Sequence, residues 1–226
     1  VVGEREPYDI AVFTDSAGML GVRDLFDFYE PSTTEAIVPE GAHPAPDFSS
    51  QLFSFSSIAS ANKAFNREFL LQCAKEAQCF TWLGLQCAAL SQATKIVVTK
   101  RPLATLRCLP FASTGLVGAR AMLDDVFSGF EEARANFTGD DEATCGLDAA
   151  AARHLILMVD LIRNPIARRY CFEDARERGG EAIARALAGS QLTDAECVVC
   201  RALLGETYDA YTGYRDALVL NDVIMK

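Results

Sequence analysis

Cysteines are the residues of this sequence best suited to chemistry, and two of the eight have the spacing of a dithiol. Cys197 and Cys200 stand three residues apart, so a helix would bring both thiols to one face, where they could bind a metal ion. A closed tetrahedral zinc site needs two further ligands, and His43 and His154 do not have zinc-finger spacing. We expect core packing for this pair, with a redox role or metal binding by Cys197 and Cys200 as the alternatives.

A second thiol has an acidic neighbour at a spacing known from a cofactor-binding family. The segments DLIR at 160–163, RRYC at 168–171 and GETY at 205–208 resemble, in their order, the chromophore region of phycobiliproteins. In that globin-like family a cysteine tethers a bilin, and an aspartate three residues later contacts its pyrrole nitrogens. The resemblance covers about fifty residues and implies a tetrapyrrole site at Cys171 and Asp174.

A third candidate is Asp15, which follows the apolar run Ile10–Phe13 and precedes a glycine-containing bend. A strand, a loop and a helix in this order could position a nucleophilic carboxylate. An aspartate-nucleophile phosphatase needs a second acidic residue two positions later, where this sequence has Ala17, and the nearby glycines lack the lysine of a phosphate-binding loop. We therefore expect Asp15 or Ser16 to cap a helix, and the chain not to be an enzyme.

The negative charge of the chain is concentrated near its beginning. The net charge is −10, of which residues 1–48 carry −8. A chain this acidic repels a phosphate backbone at long range, so we expect no binding to nucleic acid. The acidic segment would suit a basic surface on another protein.

Proline separates this acidic segment from the remainder of the chain. Residues 31–50 hold four of the eight prolines, which prevent a continuous helix and favour extended backbone. We predict an acidic N-terminal segment with a proline-rich arm over residues 1–50 and a helical domain over residues 51–226. Three apolar residues of the arm are the predicted partner contacts: Ile37, Val38 and Phe48.

The apolar residues beyond the arm recur at helical spacing, which predicts an all-α fold of six or seven helices, with Ile10–Phe13 as one short strand. A stripe from Phe65 to Leu90 predicts one long helix. Residues 77–94 are uncharged and nearly long enough to span a bilayer, but six of them are polar. We expect a core helix here, with membrane contact as the alternative.

Helix boundaries are signalled most clearly in the second half of the chain. Thr193 and Glu196 fit a capping box, which begins a last helix running to Leu218. Asn164-Pro165 predicts the start of another helix, and Gly179-Gly180 predicts its end. Pro102 predicts a break earlier in the chain. Five arginines interleaved with acidic residues predict internal ion pairs rather than a phosphate site: Arg163, Arg168, Arg169, Arg176 and Arg178.

Together these features predict a non-enzymatic structural or interaction subunit of a larger assembly, whose partners are other protein subunits. The alternative is a helical domain whose thiols bind a tetrapyrrole or a metal; the sequence does not identify a cofactor. The cysteine spacing is not that of a disulfide scaffold, so we expect an intracellular, reducing compartment, which includes an organelle entered after removal of a transit peptide.

Overall fold

The computed structural model describes residues 10–17, 41–44, 63–106, 115–137, 141–162 and 164–225. The described chain is predominantly helical, as the sequence predicts, and its helices number seven. In chain order the elements are β1 Ile10–Ala17, β2 Gly41–Pro44, β3 Lys63–Phe65, α1 Arg67–Ala77, α2 Trp82–Gln92, β4 Lys95–Leu106, α3 Leu116–Asn136, α4 Asp141–Leu161, α5 Pro165–Ala188, α6 Asp194–Gly205 and α7 Tyr208–Met225.

The four strands form a single sheet in the order β2-β4-β1-β3. The central strands β1 and β4 run parallel, with Ile10 opposite Ile96 and Val12 opposite Val98. β3 pairs antiparallel with β1, and β2 pairs antiparallel with β4. The predicted number of strands is therefore too low. The predicted strand lies in β1, and three further strands complete the sheet.

β4 continues past Pro102 because the pairing with β1 is interrupted there. Phe13 lies opposite Thr99, but the next described pair is Asp15 opposite Ala104. Four residues of β4, Pro102 among them, thus face a single residue of β1. Proline has no N–H to donate to a ladder and is tolerated at such an irregularity. The predicted break is a bulge within the strand.

The described parts of the predicted N-terminal arm, β1 and β2, are extended and both pair with β4. Asp15 and Ser16 lie inside β1, so the prediction that one of them caps a helix is wrong. His43 lies in β2. The predicted partner contacts Ile37, Val38 and Phe48 fall outside the described residues.

Contacts divide the chain into two compact units. Unit 1 comprises residues 1–109 and 128–150, and unit 2 comprises residues 110–127 and 151–226. The helices α3 and α4 each contribute residues to both units. The predicted boundary at residue 50 lies within unit 1.

In unit 1 the predicted long helix is two helices, α1 and α2. α1 begins after Asn66, whose side chain accepts hydrogen bonds from the next turn, and it ends at Gln78, which takes the left-handed conformation with φ of 49°. Thr81 caps the N-terminus of α2. No described helix combines the length and the hydropathy that a membrane crossing requires.

The core of unit 1 joins these helices to β4 and to parts of α3 and α4. Its buried members are small or aliphatic: Cys73, Cys87, Ala89, Leu90, Ala93, Ile96, Ala133, Leu147 and Ala150. Because alanine side chains are small, helices that meet at alanines can pack closely. α2 and α3 approach each other closely in this way. A Cβ added to Gly129 would lie 2.8 Å from the Cβ of Leu83, and one added to Gly84 would lie 2.8 Å from the Cβ of Glu132.

In unit 2 the central element is α5, which begins as predicted with Asn164 as its cap and Pro165 in its first turn. It does not end at Gly179-Gly180 but continues to Ala188. A Cβ added to Gly179 would lie 2.5 Å from the Cδ1 of Leu155, so this glycine allows close packing rather than a turn. The predicted end of the helix there is wrong.

The last predicted helix is also two helices, because the chain breaks at Glu206 between α6 and α7. The predicted capping box is confirmed: Thr193 and Glu196 bond reciprocally at the start of α6. Glu196 also binds Arg153 of α4, at 2.6 Å from its Nε, and Arg153 donates to the carbonyl oxygen of Gln191 at 2.6 Å. One buried carboxylate therefore fixes both the cap of α6 and its attachment to α4.

Because α2 and α3 meet at glycines, substitution of Gly129 by alanine should destabilise the protein. The added methyl group would overlap the Cβ of Leu83, which cannot move without its backbone. We expect Gly129→Ala to lower the free energy of unfolding by about 1 to 3 kcal/mol in urea titration, as overpacking does.

The matched control is Gly213→Ala in α7, where an added Cβ meets nothing within 4 Å. Alanine is the better helix former by about 1 kcal/mol, so this variant should be as stable as the parent chain or more so. Equal stability of the two variants would contradict the close approach of α2 and α3.

Candidate functional site

The turn between α1 and α2 presents an aromatic side chain to solvent. Phe80 is 93% exposed, more than any other large hydrophobic side chain that the structure describes. Trp82, two residues later, is 47% exposed, and its ring meets that of Phe65 edge-on with centroids 5.9 Å apart. Single exposed hydrophobic residues are common in proteins, but aromatic anchors are enriched in binding surfaces. We call residues 78–82 the aromatic turn.

The backbone of the aromatic turn is held by a carboxylate from α3. Oε2 of Glu132 accepts hydrogen bonds from the backbone N–H of Phe80 at 3.2 Å, from that of Thr81 at 2.9 Å and from the Thr81 hydroxyl at 2.6 Å. The same hydroxyl accepts from the N–H of Gly84 at 3.1 Å. The carboxylate thus lies at the N-terminus of α2, where the helix dipole favours negative charge.

These hydrogen bonds also set the ionisation of the site. Partial burial by itself would raise the pKa of the Glu132 carboxyl, but the hydrogen bonds from Thr81 and Phe80 lower it by more, and the net pKa lies below the ordinary glutamate value. Burial, and then the charge of Glu132, raise the pKa of the Cys79 thiol. Near neutral pH the carboxylate is charged and the thiol is protonated. A protonated thiol is a weaker nucleophile than a thiolate.

The predicted tetrapyrrole contacts lie one turn apart on α5, in unit 2. Cys171 is fully buried, and burial, followed by the nearby charge of Asp174, raises the pKa of its thiol to about 11. Asp174 binds Arg178 at 3.3 Å, and Arg178 also binds Asp124 at 2.6 Å. The structure therefore places the thiol away from solvent and the carboxylate in an ion-pair network. Tetrapyrrole binding by these residues stays a prediction.

The predicted metal ligands lie on α6. Cys200 is buried, and its burial, with the charges of Glu196 and Cys197, raises the pKa of its thiol to about 12. Cys197 is half-buried. Within the described ranges, no three or more histidine, cysteine, aspartate or glutamate residues are grouped to hold a metal ion. Metal binding by Cys197 and Cys200 also stays a prediction.

The sequence patterns did not indicate the roles of Phe80, which is exposed at the aromatic turn, or of Glu132, which holds the backbone of that turn. Phe80 belongs to the apolar stripe that predicted one long helix, so it was expected in a core. The local signal of a break was Thr81, a residue type that commonly caps helices, followed by the apolar run that begins at Trp82. Glu132 had no local signal, since its hydrogen-bond partner Thr81 is 51 residues away along the chain.

Comparisons of the chain with protein-family models, with curated proteins and with solved structures find no match.

Removing the charge of Glu132 should weaken unit 1 in a pH-dependent manner. A carboxyl whose pKa is lowered by folding contributes stability above its unfolded pKa, near 4.3, and that contribution is lost as the pH falls through the lower folded value. We expect Glu132→Gln to lower the free energy of unfolding by about 1 kcal/mol at pH 7 in urea titration, and by less at pH 3.

Glu131→Gln is the matched control, because Glu131 is the exposed neighbour on the same helix and no described contact involves it. Its substitution should leave stability unchanged at pH 7. If both variants showed the same loss, or if the loss in Glu132→Gln did not shrink at pH 3, the hydrogen bonds of Glu132 would not hold the turn.

The buried thiols should resist alkylation in the folded protein. The thiolate is the reactive form, and Cys171 and Cys200 combine full burial with raised pKa values. Treated with iodoacetamide at pH 8 and followed by mass spectrometry, the folded chain should be modified at the half-buried Cys145 and Cys197 first. In urea Cys145, Cys171, Cys197 and Cys200 should all react. Rapid modification of Cys171 in the folded protein would instead show that its thiol is accessible, as a tethered cofactor requires.

Proposed function

We propose that this chain is a non-enzymatic interaction subunit of a larger protein assembly, and that the aromatic turn is one of its docking surfaces. The observation that supports the proposal is the exposure of Phe80 on a backbone fixed by Glu132. Burying a phenylalanine side chain fully is worth about 1.5 to 3 kcal/mol. Because Phe80 is exposed in this chain, a partner that buried its side chain would gain this free energy.

The rigidity of the aromatic turn also favours its use as a docking surface. A partner that binds an ordered anchor loses less conformational entropy than one that must order a loop. Glu132 holds the N–H groups of Phe80 and Thr81, and Gln78 ends α1 in a fixed left-handed conformation. The backbone of Phe80 is thus already ordered, so binding of a partner to it would cost little further ordering of this segment.

Charge favours a protein with a basic surface as the partner. The chain carries a net charge of −10, most of it in residues 1–48. Complementary charge steers association and suppresses wrong partners, whereas the same charge repels nucleic acid. In this proposal Phe80 supplies apolar contact, and the acidic N-terminal segment, with Ile37, Val38 and Phe48, makes further contacts to neighbouring subunits. We keep an intracellular, reducing compartment as part of the proposal.

The second proposed function is a helical domain whose thiols bind a tetrapyrrole or a metal. The burial of Cys171 and Cys200 weighs against it, because a ligand would have to displace packed side chains to reach either sulfur. The interaction proposal needs no such rearrangement. An absorption spectrum and a metal analysis of protein purified from its source distinguish the two: a stoichiometric chromophore or metal would favour the second.

Photo-crosslinking from position 80 tests the docking surface directly. The full chain is produced in its source cells with p-benzoylphenylalanine in place of Phe80, or in place of Val117, which is 86% exposed and serves as the control. We expect irradiation to yield one defined protein adduct from position 80. Adducts that are equal in kind and yield at both positions would contradict the proposal.

The adduct partner, once purified, allows a quantitative test. Phe80→Ser should weaken its binding by roughly tenfold or more, the effect of losing an interface anchor, as measured by calorimetry. Val117→Ser should bind as the parent chain does. Because Phe80 makes little contact with its own chain, both variants should unfold at the parent temperature, so that a loss of affinity is not a loss of folding.

A further inference from the structure

The aromatic turn places a phenylalanine side chain next to a carboxylate. The backbone nitrogen of Phe80 is 3.2 Å from Oε2 of Glu132, and the side chain of Phe80 branches from the atom bonded to this nitrogen. The ring has an electron-rich face, and the carboxylate carries a full negative charge. An arginine side chain can contact both kinds of group at once.

Unit 2 shows how an arginine fits such a pair of groups. The guanidinium carbon of Arg178 lies 4.0 Å from the ring centroid of Phe127, and its Nη1 binds Oδ1 of Asp124 at 2.6 Å. Phe127 and Asp124 are three residues apart on α3, so they share one face of that helix. An arginine from another helix, α5, therefore stacks on the ring and pairs with the carboxylate of one surface.

A second arginine of α5 is placed in a similar way. The guanidinium carbon of Arg176 lies 5.4 Å from the ring centroid of Phe172, and Arg176 also binds Glu173. Both arginines belong to the internal ion pairs that the sequence predicts. Phe127 and Phe172 are thus each matched with one arginine, and each arginine with a carboxylate.

The aromatic turn has the ring and the carboxylate without a cation from the described chain. No lysine or arginine among the described residues stacks on the ring of Phe80, which is 93% exposed, or pairs with Glu132. Oε2 of Glu132 accepts its hydrogen bonds from the turn, whereas Oε1 accepts none within the described ranges and is not a buried atom. One oxygen of a charged carboxylate is therefore open to a partner.

The charges near the aromatic turn favour a basic partner. In the last turn of α1, the exposed Lys75 and Glu76 offset each other. On α3, Glu131 is exposed beside Glu132, and Arg134 is bound by a carboxylate of α4 at 2.5 Å. The neighbourhood is therefore negative, as the whole chain is with its net charge of −10, and it attracts a cationic side chain.

We propose that the aromatic turn binds an arginine side chain on the surface of its partner, with the guanidinium group between the ring of Phe80 and Oε1 of Glu132. This inference rests on the proposed docking function of the turn and adds the chemistry of the partner. The planar guanidinium group stacks on the ring while one of its N–H groups donates to Oε1. The aliphatic stem of the arginine covers apolar surface that Phe80 exposes.

The test uses the protein captured by photo-crosslinking from position 80. Tandem mass spectrometry of the adduct identifies the reacted residue of that protein, and each arginine near it is replaced by glutamine in turn. We expect one of these substitutions to weaken binding to the parent chain by about tenfold in calorimetry, because an interface ion pair is lost. Replacement of the same arginine by lysine, which keeps the charge but not the planar group, should weaken binding less.

A double-mutant cycle assigns this arginine to the turn. With Glu132→Gln in this chain, the arginine substitution should weaken binding by less than about threefold, because the ion pair is already absent. With Glu131→Gln, the matched control, the full loss should remain. Phe80→Leu, which removes the aromatic face of an exposed side chain and leaves the carboxylate in place, should also reduce the loss, and it does not depend on the stability of the Glu132 variant.

The outcomes separate this inference from the proposed function. If no arginine near the reacted residue matters, or if its loss is the same with the parent chain, Glu132→Gln and Phe80→Leu, the inference is overturned and the docking surface stands. If position 80 yields no defined adduct, the docking surface itself is contradicted, and the inference falls with it.

Discussion

The close approach of α2 and α3 is the constraint on which the aromatic turn depends. Each helix has a glycine at the contact, and the two glycines face Glu132 and Leu83 of the opposite helix. Without a side chain at Gly84, Glu132 can reach the start of α2 and accept hydrogen bonds from the turn. The exposure of Phe80 is therefore a consequence of helix packing and not only of local sequence.

In unit 2, as with Glu132 in unit 1, single carboxylates connect neighbouring helices. Glu196 binds Arg153 and the N–H of Thr193, and Asp160 binds Arg168, Arg215 and Tyr211. A carboxylate buried with several donors is strongly coupled to the fold, because removing it leaves those donors unsatisfied. These acidic residues therefore position helices.

Sequence reasoning succeeded where the signal was local. The capping box of Thr193 and Glu196 and the start of α5 at Asn164 each depend on residues within one turn, and both are confirmed. It failed where the cause was distant. β4 pairs with β1 from a separate part of the chain, Gly179 is explained by Leu155, and Glu132 acts on a turn in another helix. Of the aromatic turn only the cap Thr81 had a local pattern, and Gln78 takes a left-handed conformation that glycine or asparagine would have signalled better.

Two kinds of side chain can therefore be distinguished: polar or ionisable groups that the fold holds in place, and an aromatic side chain that it leaves exposed. The thiols of Cys171 and Cys200 are buried and protonated, and the carboxylates of Glu132 and Glu196 are engaged within the fold. Phe80 is of the second kind, because the fold holds its backbone and leaves its side chain in solvent. An exposed aromatic side chain on an ordered backbone is the arrangement from which the proposed docking surface is argued, because an ordered segment loses less entropy when it is bound.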